Sequence, residues 1–261
     1  MRGLILVAAL AAGAMHGEEA VAFSVQAGAG SRGDERVEVS ARAQLGEGAL
    51  LIGAETTQGP RSPERTGIVA GVDYSFEPIE LHGELRAVPP SVELARTSVE
   101  LGARREGKAG AIGLALFGRS ARLRDSALQS AGMQLEAELN ASSVLRLGAR
   151  AAAWATSLSG PALDAAEPWS SFGDATLEWT ERWEVQAWTR LTLGRFALTP
   201  QFVFAQPAQE GQWAARAGLQ LEANLGPLCV SLEGTAAQEW PRLLSLTGLA
   251  LGLTWQIGGE R

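Results

Sequence analysis

The chain has little of the side-chain chemistry on which metalloproteins and most hydrolases depend. Its 261 residues include one cysteine, Cys229, and two histidines, of which only His82 lies beyond the N-terminal segment. A single cysteine excludes an intrachain disulfide. A transition-metal site built on one histidine would need carboxylates at all of its other positions. We therefore expect no metal site and no cofactor.

The chain also has fewer positively charged residues than negatively charged ones. The sequence has 22 Lys and Arg residues against 29 Asp and Glu residues, and its formal net charge is −7 at pH 7. Proteins that bind nucleic acid present a basic face to the phosphate backbone. The acidic balance therefore argues against a nucleic-acid partner.

Long apolar runs are missing except at the N-terminus. Residues 4–12 form a short apolar stretch after Arg2, and small residues follow it, which is the pattern of a signal peptide. The stretch is shorter than the roughly 20 residues that a membrane-spanning helix requires. Cleavage after Ala14 and cleavage after Ala22 both fit, and we favour Ala22 because alternating sequence starts directly after it. We predict a signal peptide over 1–22.

The rest of the chain alternates apolar and polar residues. Residues 37–45 and 133–140 show the pattern, with one wholly apolar face and one face that carries charges. A β-strand places successive side chains on opposite faces, so such a run predicts a strand. The pattern recurs about 14 times, with about 12 or about 16 strands as alternatives. The predicted strands are 23–30, 36–45, 49–56, 66–76, 79–87, 96–104, 110–120, 131–140, 144–154, 174–193, 196–206, 212–225, 228–238 and 243–257.

The connections between these strands are alternately short and long. Those after even-numbered strands are tight, whereas several after odd-numbered strands are long: 57–65, 88–95, 121–130 and 155–173. Strand 174–193 is unusually long, and Glu181 interrupts its apolar face. We interpret it as one strand, since splitting it would make the strand number odd.

Near the chain end, apolar residues alternate from Thr247 to Trp255, which partly resembles the C-terminal signal of outer-membrane barrel proteins. The sequence departs from that signal because 258–261 follow the aromatic residue. Over 23–261 the chain resembles the porin-like class of Gram-negative outer-membrane β-barrels, with no particular family indicated. The resemblance implies an all-β fold, a single transmembrane antiparallel up-and-down barrel, with both termini in the periplasm. It also implies outer-membrane lipid and the barrel-assembly machinery as partners.

Three observations indicate that the apolar face points outward. A barrel of about 14 strands would enclose a lumen too wide for Ala, Leu and Val to fill. The apolar face carries almost no charge, as lipid requires. Aromatic residues lie near both strand ends, as in interfacial girdles: Tyr74, Phe76, Phe196 and Trp255 on the turn side, and Phe202, Phe204 and Trp213 on the loop side.

The polar face is then the lining of an aqueous lumen. The predicted lining residues are Glu38, Arg42, Asp73, Glu80, His82, Glu84, Arg86, Glu100, Arg104, Glu136, Glu138, Arg146, Arg150, Trp188, Arg190, Arg216, Glu222 and Glu233, and Glu55, Arg119 and Glu184 share that face. A three-residue turn at 141–143 would place Glu138 opposite Arg146. Trp154 and Trp188 also fall on this face, where they narrow the lumen or pack against each other. Glycines of the same face either relieve crowding or leave room for a solute: Gly28, Gly53, Gly71, Gly102, Gly113, Gly148, Gly218 and Gly252.

His82 is the natural candidate for acid–base catalysis. The turn at 77–78 pairs it with Asp73, and such a pair can orient a general base. The positions two residues away hold Glu80 and Glu84, so no serine nucleophile lies close in sequence. We therefore predict a hydrogen-bonded lumen histidine and no enzymatic activity.

Two functions remain for such a barrel. The leading hypothesis is a passive pore or solute channel, because more than eight strands enclose space that side chains do not fill. Since both charge signs interleave, at most a weak cation preference is expected. The alternative is a non-conducting barrel that anchors a secretion, motility or polysaccharide-export assembly, with partners docking on 155–173.

Overall fold

The computed structural model describes residues 21–30, 35–59, 62–88, 95–123, 126–159, 181–207, 213–240 and 244–257. All regular structure in these residues is β-strand. The 14 strands are β1 (Val21–Gly30), β2 (Glu35–Leu45), β3 (Gly48–Gly59), β4 (Ser62–Phe76), β5 (Ile79–Val88), β6 (Ala95–Gly107), β7 (Gly110–Leu123), β8 (Ser126–Asn140), β9 (Leu145–Ser159), β10 (Glu181–Leu193), β11 (Phe196–Pro207), β12 (Trp213–Asn224), β13 (Leu228–Trp240) and β14 (Leu244–Ile257).

Each strand pairs antiparallel with its neighbours in sequence, and the first strand also pairs with the last. The β1–β14 ladder runs from Val21 opposite Ile257 to Gly30 opposite Gly248. The sheet therefore closes into an up-and-down barrel without an edge. The predicted fold class and the predicted number of 14 strands are confirmed.

One end of the barrel carries the short connections. Turns after the even-numbered strands span two to four residues, as the sequence predicts: 46–47, 77–78, 108–109, 141–144, 194–195 and 225–227. Gly46 and Gly194 have φ values of +62° and +61° in two of these turns, a conformation that tight hairpins require and that glycine adopts without a steric penalty. β1 begins and β14 ends at this same end, which we call the turn end. The opposite end is the loop end.

The N-terminal boundary differs from the predicted one by two residues. β1 already includes Val21 and Ala22, which cleavage after Ala22 would remove. Residues 1–20 lie outside the described part of the chain. Both cleavage points therefore stay predictions.

Strands extend further toward the loop end than predicted. Gly59 pairs with Ser62 and Leu123 pairs with Ser126, so the long loops expected at 57–65 and 121–130 are wrong. Above a membrane both faces of a strand meet water, so the apolar–polar alternation disappears while the backbone ladder continues. Transmembrane strands need only about 9–11 residues, and β8 and β9 have 15 residues each.

The interruption at Glu181 coincides with an irregularity in the sheet. Glu181 pairs with Pro207 and Trp183 with Gln206, so the register of β10 against β11 shifts by one residue there. A bulge of this kind re-aims side chains without adding a strand, which keeps the strand number even. Residues 174–180 of the predicted long strand lie outside the described residues.

The predicted register of β8 against β9 is wrong by two residues. Asn140, not Glu138, lies opposite Arg146. The cause is a four-residue turn, in which the Ser142 hydroxyl accepts hydrogen bonds from the amides of Val144 and Leu145 at 3.3 and 3.1 Å. The longer turn places Glu136 directly opposite Arg150.

The outer surface of the barrel is apolar. Large hydrophobic side chains are exposed on every strand whose outer face is described, and Leu101, Ile112 and Leu135 are 61%, 70% and 55% exposed. Exposing such a band to water would be unfavourable all around the molecule. The outward-facing orientation is that of a membrane barrel. Among the described residues, no helix is long and apolar enough to cross a membrane.

Six of the seven predicted girdle residues have described side chains, and these six lie on the outer face. Tyr74, Phe76, Phe196 and Trp255 are exposed near the turn end. Nearer the loop end, Phe202 is exposed. Phe204 packs on Trp183 with ring centroids 5.8 Å apart, and Trp183 donates a hydrogen bond to Gln206 at 2.7 Å. Trp183 was not among the predicted girdle residues, and the side chain of Trp213 lies outside the described part.

Candidate functional site

All of the predicted lining residues lie on the inner face. Registered partners in a sheet share a face, and the registers connect the set from strand to strand: Asp73 with His82, Glu80 with Arg104, and Glu136 with Arg150. The inner face so defined carries Glu38, Arg42, Asp73, Glu80, His82, Glu84, Arg86, Glu100, Arg104, Glu136, Glu138, Arg146, Arg150, Trp188, Arg190, Arg216, Glu222 and Glu233. The interior of the barrel is therefore the candidate site.

Asp73 holds the first cluster, in the turn-end half of the lumen. Its carboxylate accepts from His82 Nδ1 at 2.5 Å and pairs with Arg42 at 2.7 Å. The predicted Asp73–His82 pair is thus present, with a guanidinium on the second carboxylate oxygen. Within the described residues, no group of three or more His, Cys, Asp and Glu side chains is placed to hold a metal ion.

Arg104 holds the second cluster by reaching across a strand. Its guanidinium pairs with Glu136 at 2.8 Å and Glu138 at 2.7 Å, although β7 lies between them. Gly113 on β7 is registered with both Arg104 and Glu136. Because glycine has no side chain, the charged groups of β6 and β8 meet above it.

A second glycine acts in the same way on the other wall. Gln201 on β11 donates to Glu233 on β13 at 3.4 Å, and Gly218 on β12 is registered with Gln201. A Cβ at Gly218 would lie 2.7 Å from the Gln201 amide nitrogen. Neighbouring side chains occupy the space above these lumen glycines, which favours relief of crowding over room for a solute.

Arginine–carboxylate pairs continue along the lumen. Glu55 pairs with Arg36 at 3.4 Å and with Arg86 at 3.8 Å. Glu38 and Glu84 pair with the same two arginines at 2.7 and 2.5 Å. Charged side chains of three strands, β2, β3 and β5, are tied together here, which stabilises one arrangement of the inner face.

The two signs of charge are not equally exposed. The side chains of Glu138 and Glu184 are each 11% exposed, whereas their partners Arg146 and Arg150 are 48% and 33% exposed. Glu55 likewise lies deeper than both of its arginine partners. These carboxylates lie against the wall with the guanidinium groups in front of them, so an entering solute meets N–H donors first.

Aromatic side chains occupy two separate places in the lumen. Trp154 packs on Phe117 with ring centroids 5.2 Å apart, and the Arg119 guanidinium lies 5.3 and 5.5 Å from the two ring centroids. Trp188 lies over Gly148 instead. These contacts place the two tryptophans against different neighbours, and narrowing of the lumen stays a prediction.

Described residues of the inner face line two cavities considered below. The turn-end cavity, of about 420 Å³, is lined by polar residues that include Asp73, Glu80, Glu100 and Arg104. A second cavity of about 280 Å³ lies nearer the loop end, and its lining includes Arg36, Arg150, Arg216, Gln186 and Gln201. We call it the arginine cavity.

Sequence reasoning missed several inner residues. Arg36 was not on the predicted inner face, although it lies two residues before Glu38 and so shares its parity. Gln186 and Gln201 occupy positions with the parity of the inner face, but they are uncharged, and the prediction is based mainly on charged residues. Phe117 is apolar, and it is buried on the inner face.

The structure describes only the first five residues of the predicted docking segment 155–173. Residues 155–159 end β9. The remainder lies outside the described residues, so docking there stays a prediction.

No protein-family model matches the sequence. No curated protein is similar to it in sequence. Solved structures do resemble it. CymD, a monoaromatic hydrocarbon channel, is 10% identical with a TM-score of 0.58, over 95% of this chain and 93% of that chain. An anion-selective porin from Comamonas acidovorans is 8% identical with a TM-score of 0.50, over 92% and 98%.

A third similar structure is CdiB from Acinetobacter baumannii, at 7% identity and a TM-score of 0.52 over 92% of this chain and 60% of that chain. At such low identity the likeness is one of fold. The chain therefore has the closed β-barrel fold of outer-membrane porins and channels.

Gly148 tests the packing of the lumen. A Cβ there would lie 2.1 Å from the Trp188 ring. We expect Gly148→Ala to lower the free energy of unfolding by about 1–3 kcal/mol, because the rigid ring must move. Equilibrium unfolding in detergent, followed by tryptophan fluorescence, measures the change.

Gly118→Ala is the matched control. Nothing lies within 4 Å of a Cβ at Gly118, so its free energy of unfolding should stay within about 0.5 kcal/mol of the parent protein. Equal effects of the two substitutions would contradict the packing of Trp188 on Gly148.

Proposed function

We propose that the protein is a passive pore or solute channel of the bacterial outer membrane. The observation that carries the proposal is the inward-facing charged surface of a closed 14-strand barrel. A barrel with more than about eight strands encloses space that side chains do not fill. Both lumen cavities are lined mainly by polar residues, which suits polar solutes in water.

The same residues give no support to catalysis. Asp73 is shared between His82 and Arg42, so its carboxylate is already engaged by a cation. A pair held in this way is explained by the stability of the inner wall. We therefore assign no catalytic residue and propose a non-enzymatic channel.

We further propose that the turn end faces the periplasm. Bacterial barrels place short turns and both chain termini on that side, and β1 begins and β14 ends at the turn end here. A signal peptide over 1–22 would deliver the chain to the periplasm, where the barrel-assembly machinery and outer-membrane lipid are the expected partners.

Planar-bilayer recording tests the channel proposal. Purified protein should produce stepwise conductance in KCl. In a salt gradient its reversal potential should be small, with at most a weak cation preference, because carboxylates and guanidinium groups are paired along much of the inner face. Absence of conductance would contradict the channel, and strong anion selectivity would contradict the charge balance.

Cysteine labelling in intact cells tests the orientation. In a Cys229→Ser background, Ser143→Cys at the turn end should react with a large polyethylene-glycol maleimide only after the outer membrane is permeabilised. Gln129→Cys, which is exposed near the loop end, should react in intact cells. The reverse pattern would place the turn end outside.

A further inference from the structure

Three arginines from distant strands line one small cavity. Arg36 comes from β2, Arg150 from β9 and Arg216 from β12, and all three border the arginine cavity of about 280 Å³. In the ring of 14 strands, β2 and β9 lie on opposite sides. Side chains from both walls therefore bound the same space, and a solute that passes this level contacts them together.

The remaining lining combines polar side chains with small residues. Gln186 and Gln201 hydrogen-bond to each other at 2.9 Å and present amides to the cavity, and Glu233 adds one carboxylate. Gln26 and Thr235 add an amide and a hydroxyl, and the small lining residues are Gly28, Gly248 and Ala250. Because the small residues have little or no side chain, they leave space beside the polar groups.

The Arg150 guanidinium keeps donors for a ligand. A guanidinium has five N–H donors in a planar fork, and a single ion pair uses only part of them. Arg150 pairs with Glu184 at 3.0 Å, and Glu184 is the more deeply buried of the two. For a solute far from the pair, the charges of Arg150 and Glu184 nearly cancel. A ligand in contact with Arg150 still meets the N–H donors that Glu184 does not use. Such a surface binds a carboxylate by bidentate hydrogen bonds without making the pore strongly anion-selective.

We infer that the arginine cavity is a binding subsite for a small hydroxylated organic anion of the sugar-acid class, and this rests on the proposed channel function. The guanidinium groups recognise the carboxylate. The glutamine amides both donate and accept, and Glu233 only accepts, so they suit ligand hydroxyl groups. The volume equals roughly nine waters at about 30 Å³ each, which is enough for one six-carbon sugar acid.

Glucuronate and glucose provide a matched pair of probes, because they share ring size and differ by the carboxylate. In planar-bilayer recordings of the full-length protein, glucuronate should reduce the current in a concentration-dependent way. Glucose at the same concentration should have no such effect. Equal reduction by both sugars, or by neither, would overturn the subsite.

Arg150→Gln should raise the glucuronate concentration for half-block roughly tenfold or more, since it removes a charge-assisted hydrogen bond. Arg150→Lys keeps the charge and a partner for Glu184 but loses the fork, so an intermediate shift is expected. Arg105→Gln is the control, because Arg105 is exposed and registered with Ile79 and Ile112, outside the lumen. An unchanged glucuronate concentration for half-block in both Arg150 variants would contradict the inference.

Calorimetric titration of the detergent-solubilised protein with glucuronate separates this inference from the channel proposal. Heat that depends on Arg150 in a barrel without conductance would support the subsite and contradict the channel. A barrel that conducts but releases no heat on titration with glucuronate would support the channel and contradict the subsite. A heat-dependent mobility shift in gel electrophoresis checks that each variant is folded, and Arg216→Gln replaces any Arg150 variant that is not.

Discussion

The ladder between β1 and β14 is the interaction on which the rest of the molecule depends. A backbone amide or carbonyl left unpaired in lipid costs several kcal/mol, and an open sheet would leave a whole row of them at each edge. Pairing from Val21 with Ile257 to Gly30 with Gly248 removes both edges. Once the ring is closed, each side chain points either to lipid or to the lumen, and the division of the sequence into two faces follows.

Within the lumen, side-chain size determines which charges meet. Glycines at Gly113 and Gly218 let polar groups two strands apart come together, and Gly148 is covered by Trp188. The glycines therefore do not widen the bore at these positions. Gly113 lets Arg104 pair with two carboxylates. Elsewhere on the inner face, carboxylates lie behind their arginine partners, and that order gives the surface its donor character.

The period-two pattern predicts strand number and facing well, because closure and lipid contact impose it on every membrane strand. It predicts turns and strand ends less well, because neither closure nor lipid contact determines them. Ser142 sets a longer turn through its hydroxyl and moves the β8–β9 register by two residues. Beyond the membrane the ladder to Leu123 and Ser126 continues without alternation. Glu138 is more deeply buried than Arg146 because of three-dimensional packing. The order of charges in the sequence does not reveal this difference in burial.

In this barrel the apolar face contacts lipid and the charged face contacts water. Nitroxide labels introduced one at a time over 131–138 of β8, in a Cys229→Ser background and in lipid vesicles, test it most directly by collision with oxygen and with a water-soluble nickel chelate. Labels at odd positions such as Met133 and Leu135 should collide mainly with oxygen, and labels at even positions such as Gln134 and Glu136 with nickel. An inverted alternation, or the same response at every position, would contradict this orientation of the two faces.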